Sequence, residues 1–175
     1  KDWTLEVIDD GSTDGTGEIL KKFSDKFENI FIHNLGKNFG LAYALNYGLK
    51  LARGDFIARM DADDEMLPNR LQLQLDAFGA DSTLDVCGMS SIISQKTVSL
   101  NFLSHKEIVA SLFFSNPIVH PTVMFKLSDK LNIEYKNVVC EDYELWTSLA
   151  IQGAIFENLS APGLIYHRSS NQKSM

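Results

Sequence analysis

This chain has few cysteines, no long apolar run and no excess of basic residues. Each of these absences argues against a class of protein. The two cysteines, Cys87 and Cys140, belong to no CxxC or Cys/His cluster. They predict a reducing cytosol rather than a disulfide framework. No segment approaches the roughly 18 apolar residues of a membrane span, and the first residues carry no signal-peptide pattern. The formal net charge of −7 argues against a general nucleic-acid-binding protein and suits one that gathers a cation.

What remains is the composition of a globular domain, with 45% apolar and 22% charged residues in a chain of 175. Apolar patterning predicts strands at 3–8, 30–33, 55–60, 85–90, 122–125, 154–156 and 164–167. It predicts helices at 16–27, 41–53, 68–78, 107–114 and 141–152. The regular alternation in the first half predicts an α/β fold with a mostly parallel sheet flanked by helices. Ligands bind such sheets at the carboxyl ends of the strands.

Two aspartates, Asp9 and Asp10, end the first strand in VIDDGSTDGT, and a polar turn then leads into a helix. One interpretation is a plain strand-to-helix turn with Ser12 or Asp14 as the N-cap, although this leaves the adjacent carboxylates unexplained. A calcium loop beginning at Asp10 would place Lys21 where an EF-hand needs a bidentate glutamate. Asp9 and Asp10 therefore lie at a strand end where a ligand is expected, and the sequence around them does not match a calcium-binding loop.

A second group of acids follows another strand in FIARMDADDE, which contains Asp61, Asp63, Asp64 and Glu65. The spacing lacks the glycine and the glutamate of an EF-hand. An Asp-x-Asp at a strand end can bind a divalent ion that also ligates a diphosphate and makes it a better leaving group. The alternative interpretation is a solvated acidic turn that caps a helix beginning at Pro68.

Two further stretches begin helices. Asn38 and Gly40 precede a helix whose first turn has small residues, so that a ligand or another backbone can come close; helix packing alone is the simpler interpretation. Glu141 and Asp142 begin the helix in EDYELW. Their structural interpretation is helix capping, and their functional one is a general base that removes a proton from an attacking hydroxyl.

In chain order, the stretches VIDDGSTDGT, NFGLAYALNYG, GDFIARMDADD, NPIVHPTVMF, EDYELW and YHRSSNQKS resemble the family 2 glycosyltransferases over almost the whole chain. The resemblance implies the GT-A (Rossmann-like) fold and inverting transfer from a nucleotide-sugar donor, usually a UDP-sugar, with Mn²⁺ or Mg²⁺. It also implies a glycan or lipid-linked acceptor and bacterial cell-surface polysaccharide synthesis at the cytoplasmic face of the membrane. Peripheral membrane contact, for which Leu112, Phe113 and Phe114 are candidates beside their packing role, and oligomerisation are left open.

The resemblance also implies roles for single residues. Asp10 matches the residue that reads the nucleobase, and Asp9 matches a structural or ribose-directed position. Asp61 matches a residue near the ribose and the metal, and Asp63 matches the principal metal ligand. Asp142 matches the general base.

The remaining candidates match positions at the nucleotide (Ser12, Asn38, Gly40), at the metal or diphosphate (His167) and at the donor sugar or acceptor (Glu141, His120, Asp64, Arg168). For His120 the alternative is a histidine of the core, and for His167 and Arg168 it is a strand end. Arg59 receives no role from the resemblance.

Members of the family usually begin with a further strand, of the type VSVIIPVYN, and its helix. We therefore expect a single GT-A domain truncated at the N-terminus, with a nucleotide-binding half at about 1–90 and an acceptor-binding half at about 91–175. One alternative function is a fragment that binds sugar nucleotides without turnover. Another is a nucleotidyltransferase, which would need a glycine-rich, basic phosphate loop near the N-terminus, where this chain has acids.

Overall fold

The structure, a computed structural model, describes residues 3–93, 96–98 and 103–167. The chain forms two units, one of residues 1–54 with 132–145, the other of residues 55–131 with 146–175. This division does not fall near residue 90, and the single-domain assignment stays a prediction. Across the described ranges, every helix is too short or too polar to cross a bilayer.

The first unit contains two strands and two complete helices, in the order β1 (Leu5–Asp9), α1 (Thr16–Lys26), β2 (Ile30–Asn34) and α2 (Leu41–Leu51). It also contains the first residues of α5 (Glu141–Ile151). The strands β1 and β2 pair in parallel, with Leu5 opposite Ile30. The strand and helix predictions for this region are confirmed to within about two residues at most ends.

Helix α2 packs on β1 through small residues. Ala42 and Ala44 are its buried positions, and a Cβ placed on Gly48 would lie 3.5 Å from Ile8 Cγ1. Small side chains thus let the helix approach the strand closely.

The second unit contains β3 (Phe56–Ala58), β4 (Glu65–Met66), α3 (Arg70–Ala80), β5 (Val86–Ile93), β6 (Lys96–Val98), α4 (His105–Ser111), β7 (Met124–Lys126), the end of α5 and β8 (Phe156–Tyr166). Its strands follow the order β3-β7-β5-β8-β4, and β6 pairs with β5. A short 3₁₀ turn, His120–Thr122, precedes β7.

The α/β class is confirmed, but this second sheet is mixed rather than mostly parallel. Its parallel pair is β5–β8, while β3–β7, β5–β7, β4–β8 and β5–β6 are antiparallel. Parallel neighbours need a crossover of a dozen or more residues. Only two residues separate β5 from β6, so this pair can only be antiparallel.

Three local predictions differ from the structure. The strands predicted at 154–156 and 164–167 are one strand, β8, which passes Pro162 where its register with β5 shifts. Pro68 lies two residues before α3 and does not begin it. Glu65 belongs to β4, which pairs with β8, so the acidic segment is not a simple cap of α3.

The core of the second unit is built on aromatic side chains. Trp146 is fully buried; its ring stacks on Phe125 at 5.9 Å between centroids, and the His120 ring meets its edge at 5.8 Å. Leu149 and Phe156 are also fully buried. This dense packing fixes the backbone from which the acidic segment of Asp61 to Asp64 extends.

Candidate active site

Asp9 is a buried carboxylate that joins the carboxyl ends of β1 and β2. Its Oδ1 accepts the Ser12 N–H at 2.8 Å, and its Oδ2 accepts the Asn34 side-chain amide at 2.7 Å. Asn34 in turn accepts the Gly36 N–H at 2.7 Å. Asp9 therefore shapes both loops, which agrees with the structural alternative for this residue.

Asp10 binds the backbone in front of α2. Its Oδ1 accepts the Phe39 N–H at 2.8 Å and its Oδ2 accepts the Gly40 N–H at 2.9 Å. Gly40 has φ +91°, a conformation that strongly favours glycine. Asp10 thus satisfies amides at a helix start, where negative charge is favoured, and each of its oxygens keeps a further lone pair for a ligand.

The loops that carry Asp10 and Asn38 touch through their backbones. Gly11 has φ +81°, and a Cβ there would lie 2.5 Å from the carbonyl carbon of Lys37. Ser12 and Asn38 are both exposed on this pair of loops. The structure therefore brings together Asp9, Asp10, Ser12, Asn38 and Gly40, all candidates for the nucleotide.

The cap of α1 differs from the prediction. Gly15 is the N-cap residue. Asp14 accepts the Thr16 N–H at 3.0 Å. The hydrogen bond from the Thr16 hydroxyl, together with this backbone bond, lowers the pKa of the Asp14 carboxyl. Ser12 lies too far upstream to cap the helix, which leaves its hydroxyl at the loop surface.

An aromatic pair beside Asp10 was not found from the sequence. The Phe39 and Tyr43 rings stack with centroids 4.6 Å apart, and both are exposed. The Lys37 Nζ lies 4.8 Å from the Phe39 centroid. The four-residue spacing of the two rings across a helix start was the available signal.

Glu141 and Asp142 occupy the first turn of α5 within the first unit, and both are half-buried. Cys140, just before them, has φ +62°, and its carbonyl accepts the Glu144 N–H at 3.1 Å. Negative charge is favoured at a helix N-terminus, which agrees with the helix-capping interpretation of these acids. The roles of Glu141 and Asp142 stay predictions.

The acidic cluster of the second unit consists of Asp61, Asp63 and Asp64, directly after β3. One carboxylate oxygen from each lies within 4.8 Å of the others. Asp63 is exposed, Asp61 is half-buried and Asp64 is buried. Three hard oxygen ligands at this separation suit Mg²⁺ or Mn²⁺.

Asp64 gives the cluster a feature that points to a cation. Its Oδ1 accepts the His167 backbone N–H at 3.1 Å. Its Oδ2 is buried and has no hydrogen-bond partner among the residues that the structure describes. Burial raises the pKa of the Asp64 carboxyl, and the His167 bond partly offsets the rise.

Arg59 and Arg70 supply the positive charge near the cluster. Arg59 binds Asp61 with two hydrogen bonds, of 2.9 Å and 2.5 Å. Burial raises the pKa of Asp61, and Arg59 opposes that rise. Arg70 is buried, and burial together with Arg59 lowers its pKa to about 10, so it stays protonated at neutral pH. The pairing of Arg59 with Asp61 could have been predicted from the sequence, because residues two apart in an extended segment lie on the same face.

The other candidates of the second unit are His120 and His167. His120 is nine-tenths buried, and burial with the nearby Arg59 lowers the pKa of its imidazole to about 2, so the ring is neutral. This favours the core alternative for His120. His167 reaches the cluster through its backbone, and its ring as a metal ligand stays a prediction. Arg168 lies outside the described residues.

The sequence matches the family described as Glycosyl transferase family 2 over residues 1–135. The chain belongs to this family. The Escherichia coli UDP-Glc:alpha-D-GlcNAc-diphosphoundecaprenol beta-1,3-glucosyltransferase WfgD is 30% identical over 148 residues, which are 84% of this chain and 58% of that protein. The chain spans 28% to 64% of the length of the curated relatives it matches.

Solved structures of glycosyltransferases share the fold of this family 2 chain. TarS 1–349 of S. aureus, in complex with UDP-GlcNAc, aligns with a TM-score of 0.76 and 21% identity over 97% of this chain and 50% of that one. The mannosyltransferase PcManGT from Pyrobaculum calidifontis, in complex with GDP-Man and Mn²⁺, aligns with a TM-score of 0.66 and 18% identity over 96% and 48%. The family and the GT-A fold predicted from the sequence are confirmed.

Proposed function

We propose that this chain carries the donor site and the general base of an inverting, metal-dependent glycosyltransferase. The enzyme transfers a sugar from a UDP-sugar to a hydroxyl of a glycan or lipid-linked acceptor. The observation that carries the proposal is the carboxylate cluster of Asp61, Asp63 and Asp64 at the end of β3 in a family 2 chain. The UDP-glucose and diphosphoundecaprenol in the name of WfgD, and the UDP-GlcNAc bound by TarS, support the choice of donor and acceptor.

The nucleotide is held by the paired loops of the first unit. Asp10 accepts a hydrogen bond from the base, with the lone pairs that remain after it binds Phe39 and Gly40. Ser12 and Asn38 contact the ribose or base from the same loops. Asp9 keeps the loops in place through its two internal hydrogen bonds.

The carboxylates of the second unit would hold the divalent ion, and the ion would in turn ligate the diphosphate. The buried Oδ2 of Asp64, which lacks a donor among the described residues, fits a cation at this place, and the Mn²⁺ in the PcManGT complex supports the choice of ion. When bound, Mn²⁺ or Mg²⁺ neutralises the diphosphate and makes it a better leaving group. Asp63 is the principal ligand, with Asp61 near the ribose and the His167 ring or Arg168 reaching the diphosphate.

Asp142 is the general base. It removes the proton of the acceptor hydroxyl as that oxygen attacks the anomeric carbon from the face opposite the diphosphate, so the configuration inverts. Glu141 positions the acceptor or the donor sugar beside it, whereas the buried His120, packed on Trp146, is left to the core.

The setting is bacterial cell-surface polysaccharide synthesis at the inner face of the plasma membrane. Phe113 and Phe114 are 80% and 89% exposed, while Leu112 is buried, so the two phenylalanines are the candidates for peripheral membrane contact. The second candidate function is binding of the sugar nucleotide without turnover.

A transfer assay separates the two functions. Release of UDP from UDP-glucose or UDP-GlcNAc is measured with GlcNAc-diphosphoundecaprenol as the acceptor, for the wild type, Asp142→Asn and the control Asp25→Asn, an exposed acid of the first unit. We expect Asp142→Asn to lose about a hundredfold or more in rate while UDP binding is kept, with the control close to wild type. Full activity in Asp142→Asn would reject the base, and UDP binding without any transfer by the wild type would favour the second function.

A further inference from the structure

We propose that Arg59 is a positioning residue that keeps Asp61 out of direct contact with the divalent ion, so that Asp63 and Asp64 are the carboxylates that touch it. This inference rests on the proposed function, because it divides the roles within the proposed metal site. It departs in part from the sequence-based assignment, which placed Asp61 near the ribose but also counted it among the metal ligands with Asp63 and His167.

The contact between Arg59 and Asp61 uses both carboxylate oxygens. Nη1 donates to Oδ2 at 2.9 Å and Nη2 donates to Oδ1 at 2.5 Å. The planar guanidinium matches a carboxylate in this two-point arrangement. A carboxylate held in this way offers an ion less net negative charge and fewer free lone pairs than its neighbours.

Arg59 is itself anchored, so the contact is not an incidental one at the surface. It is 8% exposed. Its N–H donates to the Val123 carbonyl at 3.0 Å, and its carbonyl accepts Nη2 of Arg70 at 2.6 Å. The Arg70 Nε donates to Gln74 at 3.2 Å, deep in the unit. These bonds fix the backbone from which the guanidinium reaches Asp61.

Asp64 is in the opposite situation. It is 9% exposed, its Oδ1 is held by the His167 N–H, and its Oδ2 is buried without a hydrogen bond from any described residue. Leaving a buried carboxylate oxygen without a donor is costly, and a cation removes that cost. Its ligand oxygen lies within 4.8 Å of one from Asp63, which is exposed and free to approach an ion.

The charges agree with this division. The Arg59 guanidinium offsets the charge of Asp61, so Asp63 and Asp64 are the carboxylates of the cluster without an ion pair to an arginine among the residues that the structure describes. Divalent ions of this kind commonly take one or two protein carboxylates and complete their coordination with phosphates and water. Asp63 and Asp64 suffice as protein ligands, and the paired Asp61 is left to face the ribose.

The test compares variants that conserve the local charge. Binding of Mn²⁺ alone is followed by the electron paramagnetic resonance signal of the free ion, for the wild type, Asp64→Asn, Arg59→Met, the double variant Arg59→Met/Asp61→Asn and the control Asp129→Asn, an exposed acid of the same unit. A second neutral pair, Arg59→Gln/Asp61→Asn, keeps a hydrogen bond between the two side chains if the first pair does not fold. Circular dichroism confirms the folding of each variant.

We expect Asp64→Asn to weaken Mn²⁺ binding by about tenfold or more, because it removes a ligand and a charge. Either neutral pair stays within about threefold of wild type, because both the ligands and the net charge are unchanged. Arg59→Met alone binds Mn²⁺ more tightly, since it releases Asp61 to the ion. A purely structural role for Arg59 would instead weaken binding in this variant.

The failures are distinguishable. If the wild type binds Mn²⁺ and both neutral pairs lose binding as strongly as Asp64→Asn does, Asp61 is a direct ligand and this inference is wrong, while the proposed function stands. If Arg59→Met weakens binding, the inference is also wrong. If the wild type itself binds no Mn²⁺, the inference falls together with the metal-dependent part of the proposed function.

Discussion

The two units of this chain fix their candidate site residues in different ways. In the first unit, the buried residues among those described are Asp9, Ala42, Ala44, Tyr135 and Leu145. Its site carboxylates are held by hydrogen bonds to loop backbones and by glycines in left-handed conformations. In the second unit, a dense aromatic and aliphatic core surrounds the buried Arg59 and Arg70; Arg59 binds Asp61, and Asp64 accepts the His167 backbone N–H.

This difference shows which kind of substitution should disturb the candidate residues of each unit. A site carried by a packed core fails when the core is opened, because the backbone beneath the acids moves. A site carried by loops fails when single backbone hydrogen bonds are lost, even though little buried surface changes. The following substitutions test this contrast, from the largest expected effect to the smallest.

Truncation of one phenylalanine in each unit should give very different losses of stability. Phe156 is 1% exposed in the second unit, and Phe23 is 50% exposed in the first. We expect Phe156→Ala to lower the free energy of unfolding by about 3–5 kcal/mol, because it leaves a cavity. Phe23→Ala should lower it by no more than about 1 kcal/mol, because half of that ring is already in water. Urea unfolding measures both, and equal losses would remove the contrast in packing.

Acidification should destabilise the second unit through His120. Because the folded pKa is about 2 and the ordinary value is about 6.5, the unfolded chain binds a proton below pH 6.5 that the folded chain does not. The free energy of unfolding should then fall by up to about 1.4 kcal/mol per pH unit, or about 2 kcal/mol between pH 6.5 and 5.

The matched variant for this prediction is His120→Gln, which cannot be protonated. Urea unfolding at pH 6.5 and pH 5 should show a smaller dependence on pH for His120→Gln than for the wild type. The comparison does not go below pH 5, because burial raises the pKa values of Asp61 and Asp64. Protonation of these two acids favours the folded state as the pH falls and would oppose the effect of His120. An identical slope for the two proteins would show that His120 titrates normally.

Loss of Asp10 should loosen the start of α2. Asp10→Ala leaves the Phe39 and Gly40 N–H groups without their acceptor. We expect a loss of about 1–2 kcal/mol, similar to removal of a helix cap, with faster hydrogen exchange at those two amides. The control Asp25→Ala removes only an exposed pair with Lys21 and should leave both amides unchanged. Unchanged exchange in Asp10→Ala would contradict the two hydrogen bonds that the Phe39 and Gly40 N–H groups donate to Asp10.

The smallest effect is expected at Cys140, the residue before α5. Its φ of +62° is unfavourable for most side chains and acceptable for asparagine. Cys140→Asn should be neutral or stabilising, whereas Cys140→Val should cost about 1 kcal/mol or more because of its branched Cβ. Thermal unfolding of the two variants side by side provides the measurement. A more stable valine variant would contradict the left-handed conformation.

The sequence could place the acids but not their partners. Alternating strands and helices put Asp9, Asp10 and the Asp61 segment at strand ends, and the structure has them there. Asp10 is held by amides about 30 residues away, and no local pattern encodes such a contact. The aromatic pair of Phe39 and Tyr43 and the pair of Arg59 and Asp61 had short-range signals, at spacings of four and two residues.

The mixed second sheet lay beyond the sequence pattern for a different reason. The strands β4 and β6 have two and three residues, too few to show any periodicity. Pro162 lies inside β8, and the strand tolerates it because its register with β5 is irregular there. The direction in which two strands pair depends on long-range contacts. The helix and strand pattern alone therefore overestimated the fraction of parallel strand pairs.

The measurement that tests the account most directly is calorimetric binding of UDP with Mn²⁺ and with EDTA, for the wild type, Asp63→Ala and the control Asp129→Ala. The account predicts binding by the wild type and the control that depends on Mn²⁺ and is lost in Asp63→Ala. Binding of UDP that is the same in EDTA and in Asp63→Ala would contradict the role of the acidic cluster.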